Sequence, residues 1–188
     1  MLEYTPKSSN AKTGLMFGLI IGLIYCISLY LRYNVASSII MAFVIVFLFY
    51  LIVIGMLVFC GMRRRSELGG YIELKDAFQT IFIAILIAEL IYTIFNFIYL
   101  KYIDPHYFEH FQTKMEDFLE RTISDETRRE ESLNRMREQL EKQKNGLTFK
   151  GIFLGYLVWV AITGIFGLIA ALIVRKRKPE FELDQPVS

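Results

Sequence analysis

The sequence predicts an all-α integral membrane protein with four transmembrane helices and an extracytoplasmic two-helix hairpin between helices three and four. Three observations predict it. Hydrophobic residues make up 54% of the 188-residue chain, above the roughly 45–50% of soluble domains. The excess is clustered: Leu15–Leu31, Val35–Met62 and Leu147–Val174 run almost without charge, and Phe78–Leu100 is interrupted only by Glu89. Runs of about 18 apolar residues or more can cross a hydrocarbon core about 30 Å thick, and a soluble chain of this length cannot bury four of them. Finally, basic residues are dense in alternate loops, as expected where Lys and Arg resist translocation. The spans fall at about 13–32, 35–61, 77–100 and 148–174 of a single membrane domain, 1–188, with the hairpin inserted at 104–146.

Span one follows Lys7 and Lys12. Its apolar run exceeds the roughly 7–15 residues of a secretory signal, so it reads as a retained helix. Gly14, Gly18 and Gly22 form a GxxxGxxxG ridge, and Tyr25 continues that face towards Arg32. Small residues at this spacing let helix backbones approach closely in lipid. Span two has few polar groups and no such ridge, which predicts the most lipid-exposed helix. Arg63, Arg64, Arg65 and Lys75 follow it. Span four carries Gly151 and Gly155 on one face and Gly164, Gly167 and Ala171 on another, then ends in Arg175-Lys176-Arg177-Lys178. Only Arg32 stands between spans one and two. Alternating these loops places both termini in the cytoplasm and Lys101–Lys150 outside it. Cys26 and Cys60 then lie in opposite leaflets, too far apart for a disulfide.

Within the outside segment, Asp104-Pro105 reads as a helix cap and first residue. Phe108, Phe111, Met115, Phe118, Leu119 and Ile123 then recur at helical steps, leaving an apolar stripe exposed. Ser124-Asp125-Glu126 starts a second helix, with Leu133, Met136 and Leu140 on one face and Gly146 at its end. Asp117–Arg121, Glu131–Arg135 and Glu138–Lys142 are spaced as i,i+4 pairs, acid before base.

These features occur in an order that resembles the domain of unknown function 4199 family, small multi-pass membrane proteins found mostly in Bacteroidota. The resemblance is carried by Ser9-Asn10-Ala11-Lys12-Thr13-Gly14 and by Gly69-Gly70-Tyr71-Ile72-Glu73-Leu74-Lys75-Asp76-Ala77-Phe78. Asn96-Phe97-Ile98-Tyr99, Ile103-Asp104-Pro105, the charged outer helices and a glycine-containing last span complete it. Glu73 departs from the pattern, at a position where a small hydroxyl residue is expected. The resemblance implies a four-span fold and a bacterial inner-membrane location, and it carries no catalytic residues.

Two motifs invite chemistry. His106-Tyr107-Phe108-Glu109-His110 spells the inverted zincin motif H-x-x-E-H, in which two histidines share a metal and the glutamate is a general base. A catalytic zinc needs a third protein ligand, and Thr113 and Lys114 supply none. Both histidines also lie opposite the Phe108/Phe111/Met115 stripe, so they read as exposed residues and not as a metallopeptidase. Glu89 is the stronger candidate. At mid-span a charged side chain costs at least about 2.5–3.5 kcal/mol, and Tyr92, Thr93 and Asn96 continue a polar stripe along the same face. Lipid cannot satisfy such a stripe, so it should face the bundle interior, where Tyr25 is placed to reach Glu89 if spans one and three pack together.

Net charge is +2, too small to argue for nucleic acid. There is no phosphate-cradling glycine loop, no serine elbow and no cysteine cluster. The expectation is a non-enzymatic protein without cofactor or metal, embedded in the lipid bilayer. Its expected partners are a second copy or other envelope proteins, bound through the exposed stripe of 105–145. The alternative is a small oligomeric transporter or channel subunit using Glu89.

Overall fold

The computed structural model describes residues 9–178; Lys7, one of the basic residues used for orientation, lies outside them. The described residues form six α-helices: α1 (Asn10–Asn34), α2 (Ile39–Glu67), α3 (Leu74–Ile98), α4 (Tyr107–Thr122), α5 (Glu126–Asn145) and α6 (Phe149–Val174). Tyr99–Ile103 prolongs α3 as a π-helical turn. No strand occurs among them, only an isolated antiparallel bridge between Ile72 and Lys176. α1, α2, α3 with its extension, and α6 are long and apolar enough to cross a membrane.

Local chemistry accounts for most helix ends. Ser9, Ser38, Asp125 and Thr148 each accept a backbone N–H of the first turn with a side-chain oxygen, which satisfies a donor the helix leaves orphaned. α3 and α4 are the exceptions. Glu73 holds its cap position in extended backbone but makes no side-chain capping bond, a consequence of placing a long acid where a short hydroxyl would reach. His106 before α4 makes no side-chain capping bond either. Gly69 and Gly70 join α2 to α3 at φ +84° and +93°, the left-handed region that costs other residues roughly 1–2 kcal/mol.

α3 is the central helix, touching α1, α2 and α6. The glycine ridge of α1 joins helices of the same chain. A Cβ on Gly14 would lie 2.6 Å from the Thr80 carbonyl oxygen, and one on Gly18 would lie 2.8 Å from that of Ala84. Gly22 lies against Ile91 in the same way. On α6, Gly167 fits against Ile81 and Ile85, Gly164 approaches Phe82, and Gly151 backs onto the Gly146 carbonyl. Gly155 faces open space. The shared core comprises Phe17, Ile21, Leu57, Ile81, Ile85 and Val174 with their neighbours. α2 buries the smallest share of its apolar length and leaves residues such as Phe43 and Phe47 exposed.

Three expectations for the segment between α3 and α6 require correction. Asp104 does not cap α4, which begins at Tyr107 behind His106. The Asp104 N–H instead closes the π-helical turn on the Tyr99 carbonyl at 2.9 Å, and Asp104–His106 form a separate turn. The apolar stripe is not left open to solvent. Phe108, Met136, Leu140 and Leu100 form a second buried cluster, flanked by Tyr33, Phe111, Met115 and Leu133. The stripe finds an apolar floor because α3 runs on past Ile98 and presents Leu100. Asp117 and Arg121 do not pair, whereas Glu131–Arg135 and Glu138–Lys142 do, at 3.8 and 2.7 Å. α4 and α5 are tied to each other by Glu116–Arg137 at 2.7 Å and Glu109–Lys144 at 3.9 Å.

Candidate functional site

Glu89 sits on α3 where α1 and α6 converge, and it is 3% exposed. The Thr163 hydroxyl donates to its Oε1 at 2.8 Å, and the Tyr25 hydroxyl donates to the same oxygen at 3.5 Å. One carboxyl oxygen therefore links three helices. Tyr25 and Thr163 are themselves buried, so each donor would be orphaned without it. Tyr156 on α6 adds a second tie to α3, donating to the Leu86 carbonyl at 3.3 Å. In a medium without water, such bonds are worth roughly 0.6–2 kcal/mol each.

The polar stripe does not continue as one site. Tyr92 meets the Tyr25 ring edge-on, with centroids 5.6 Å apart. Asn96 accepts from the Tyr33 hydroxyl at 2.8 Å, and Thr93 lines a cavity at the α4–α5 end of the bundle. The structure thus brings Glu89 and Tyr25 together, while Tyr92, Thr93 and Asn96 turn towards that cavity. Thr163 completes the Glu89 group and was not anticipated. A lone threonine in an apolar run has no periodic signature; only its chemistry, an intramembrane hydroxyl able to satisfy a carboxyl, could have marked it.

A second polar group lies at the opposite end of the bundle. Asn10 accepts from the Arg64 Nε at 2.6 Å and donates to Asp76 at 3.0 Å and Gln79 at 3.1 Å. Glu67 pairs with Arg64 at 3.2 Å and accepts from Thr13 at 3.0 Å. Arg65 donates to the Val174 carbonyl. Helices α1, α2 and α3 are stitched together here, with α6 fastened by Arg65 and the Ile72–Lys176 bridge. Asn10 and Asp76 come from the two sequence stretches that carried the resemblance, and their bond gives both a structural reason to be present.

The two histidines have different nearest carboxylates. His106 lies 3.0 Å from Glu109, whereas His110 lies 3.7 Å from Asp104. Among the described residues no group of three or more His, Cys, Asp or Glu side chains is arranged to hold a metal. Hydrogen bonding from His106 holds the exposed Glu109 carboxyl below its usual range, the ordinary behaviour of a surface carboxylate beside cations.

A family model described as protein of unknown function (DUF4199) matches residues 14–176. No curated protein and no solved structure matches the chain.

Proposed function

The chain belongs to the DUF4199 family, proteins of unknown function, and from that premise we propose that it is a non-enzymatic multi-pass protein of the bacterial inner membrane that assembles with other envelope components. Both termini are cytoplasmic, and α4–α5 is an extracytoplasmic hairpin lying over the outer end of the bundle. The orientation is supported by the basic residues Arg63, Arg64, Arg65 and Arg175–Lys178 at one end. The observation that carries the assembly role is how α4–α5 divides its surface. Phe108, Phe111, Met115, Leu133, Met136 and Leu140 are packed inside the molecule, and its outward face holds ion-paired charges such as Glu131–Arg135 and Glu138–Lys142. That makes a fixed, charged platform, the kind of surface on which electrostatic complementarity selects a partner. The transporter alternative is less well supported, because Glu89 is packed among helices with its hydrogen bonds made.

The test uses a chain with Cys26 and Cys60 replaced by Ser, carrying either Asn134→Cys or Ser66→Cys. In intact spheroplasts a membrane-impermeant maleimide is expected to label Asn134→Cys and spare Ser66→Cys. A photo-crosslinking residue at Arg135 is expected to give a protein adduct of discrete mass. Labelling of the opposite cysteine overturns the orientation; an absence of adducts at Arg135 and Glu131 overturns the assembly role.

A further inference from the structure

Between the four-helix bundle and the α4–α5 layer lies a cavity of about 1130 Å³, a little above the roughly 300–1,000 Å³ common for small-molecule sites. Its polar end is electropositive. The Arg32 Nε is buried there without a hydrogen-bond partner. Its Nη2 donates to the Tyr33 hydroxyl at 3.1 Å, and the guanidinium lies 4.8 Å from that ring. Among the described residues no carboxylate forms an ion pair with it. Lys114, a second lining cation, donates to the Ala36 carbonyl at 2.8 Å and likewise has no acidic partner among the described residues. Among the described lining residues the one carboxylate is Asp104, 3.7 Å from His110. A half-buried guanidinium with an unused donor is a costly group to leave without an anion, and its fork geometry matches phosphate and carboxylate.

Away from Arg32 and Lys114 the lining carries neutral polar groups such as Asn96 and Gln139, and an apolar wall where Phe43 and Val46 on α2 face Ile152 and Trp159 on α6. Contact between α2 and α6 is made at the other end, where Gly61 and Arg65 meet Val174. Phe43 and Trp159 line the cavity and are also exposed on the apolar surface, so its α2–α6 side opens towards the membrane. We propose that this cavity binds an anionic phospholipid of the surrounding bilayer, with the phosphate at Arg32 and an acyl chain along Phe43, Val46, Ile152 and Trp159. The charge fixes the headgroup class, and the apolar walls require a chain that a free anion lacks. The proposal does not depend on the assembly role above.

Native mass spectrometry of the detergent-purified full chain tests it, with phosphatidylglycerol and phosphatidylcholine of identical acyl chains as probes. One phosphatidylglycerol is expected to bind about fivefold more tightly than phosphatidylcholine, the factor one basic residue confers near an anionic lipid. Arg32→Gln is expected to remove that preference. Gly155→Leu places a side chain in the open space over Gly155 and is expected to weaken both lipids about tenfold without lowering the melting temperature. Should Arg32→Gln fail to fold, Lys114→Gln and Gly155→Leu decide, the former lowering the preference and the latter the occupancy. Equal binding of the two lipids, or unchanged binding in a folded Gly155→Leu chain, overturns the proposal. Displacement of the lipid by inorganic phosphate alone also overturns it, since the site would then belong to a water-borne anion.

Discussion

Glu89 concentrates the residue-scale argument. A carboxyl in mid-membrane is expensive wherever it points, and here its Oε1 serves as common acceptor for Thr163 on α6 and Tyr25 on α1. A glutamine keeps an acceptor oxygen in that place. Glu89→Gln is therefore expected to melt within about 1 kcal/mol of the parent protein in detergent. Glu89→Ala removes the acceptor, orphans two buried hydroxyls and opens a void, and is expected to lose about 1–3 kcal/mol. A Glu89→Ala chain as stable as the parent would show that the group does not clamp the helices. Glu89→Gln with intact stability but lost cellular function would return the residue to proton-linked chemistry. Glu89 was legible in the sequence because charge in an apolar run is conspicuous; Thr163 was not, because a threonine there is commonplace. Arg64 was read only as a topology signal, and its bond to Asn10 depends on a helix 54 residues away.

At the scale of elements, the decisive contact is α1 against α3. Helices in lipid gain nothing from hiding apolar surface from one another, so close backbone approach and dispersion must hold them. Gly18 shows how close the approach is, since even a methyl group there would come 2.8 Å from the Ala84 backbone oxygen. Gly18→Leu is expected to force the helices apart and cost about 1–3 kcal/mol as overpacking, read as a lower melting temperature. Gly55→Leu on α2, where nothing lies within 4 Å of the added Cβ, is the control and should be tolerated. Equal damage from both substitutions would mean that the ridge is not an interface. The ridge itself could be found by spacing alone, because Gly14, Gly18 and Gly22 repeat every four residues. Its partner could not, since Thr80, Ala84, Ile87 and Ile91 of α3 carry no comparable signature. The start of α4 was misplaced for a related reason: an Asp-Pro pair signals a cap locally, but here it forms a turn between the π-helical end of α3 and α4.

For the whole molecule, two layers are held by different physics, and acid should separate them. The bundle rests mainly on packing and on hydrogen bonds in a dry interior. The α4–α5 layer rests on a small apolar cluster and on surface ion pairs. Hydrogen bonds from Gln112 and Arg137 hold the Glu116 carboxyl below its usual range. The same holds for Glu138 beside Lys142. A carboxyl whose folded pKa is depressed contributes stability above its unfolded value, near 4.3, and loses it as pH falls through the lower folded value. Being exposed and screened, the Glu116–Arg137 pair contributes under about 1 kcal/mol, so the effect is a loosening and not an unfolding. Spin labels at Glu120 and Asn134 are expected to give a narrow distance distribution at pH 6 and a broader one at pH 3. In Glu116→Gln the distribution at pH 6 should already be broadened, with a smaller further change on acidification. Labels at Leu23 and Phe47, on the lipid-facing surfaces of α1 and α2, should show the same distribution at both values. A bundle pair that broadens before the α4–α5 pair would reverse the assignment of forces to layers.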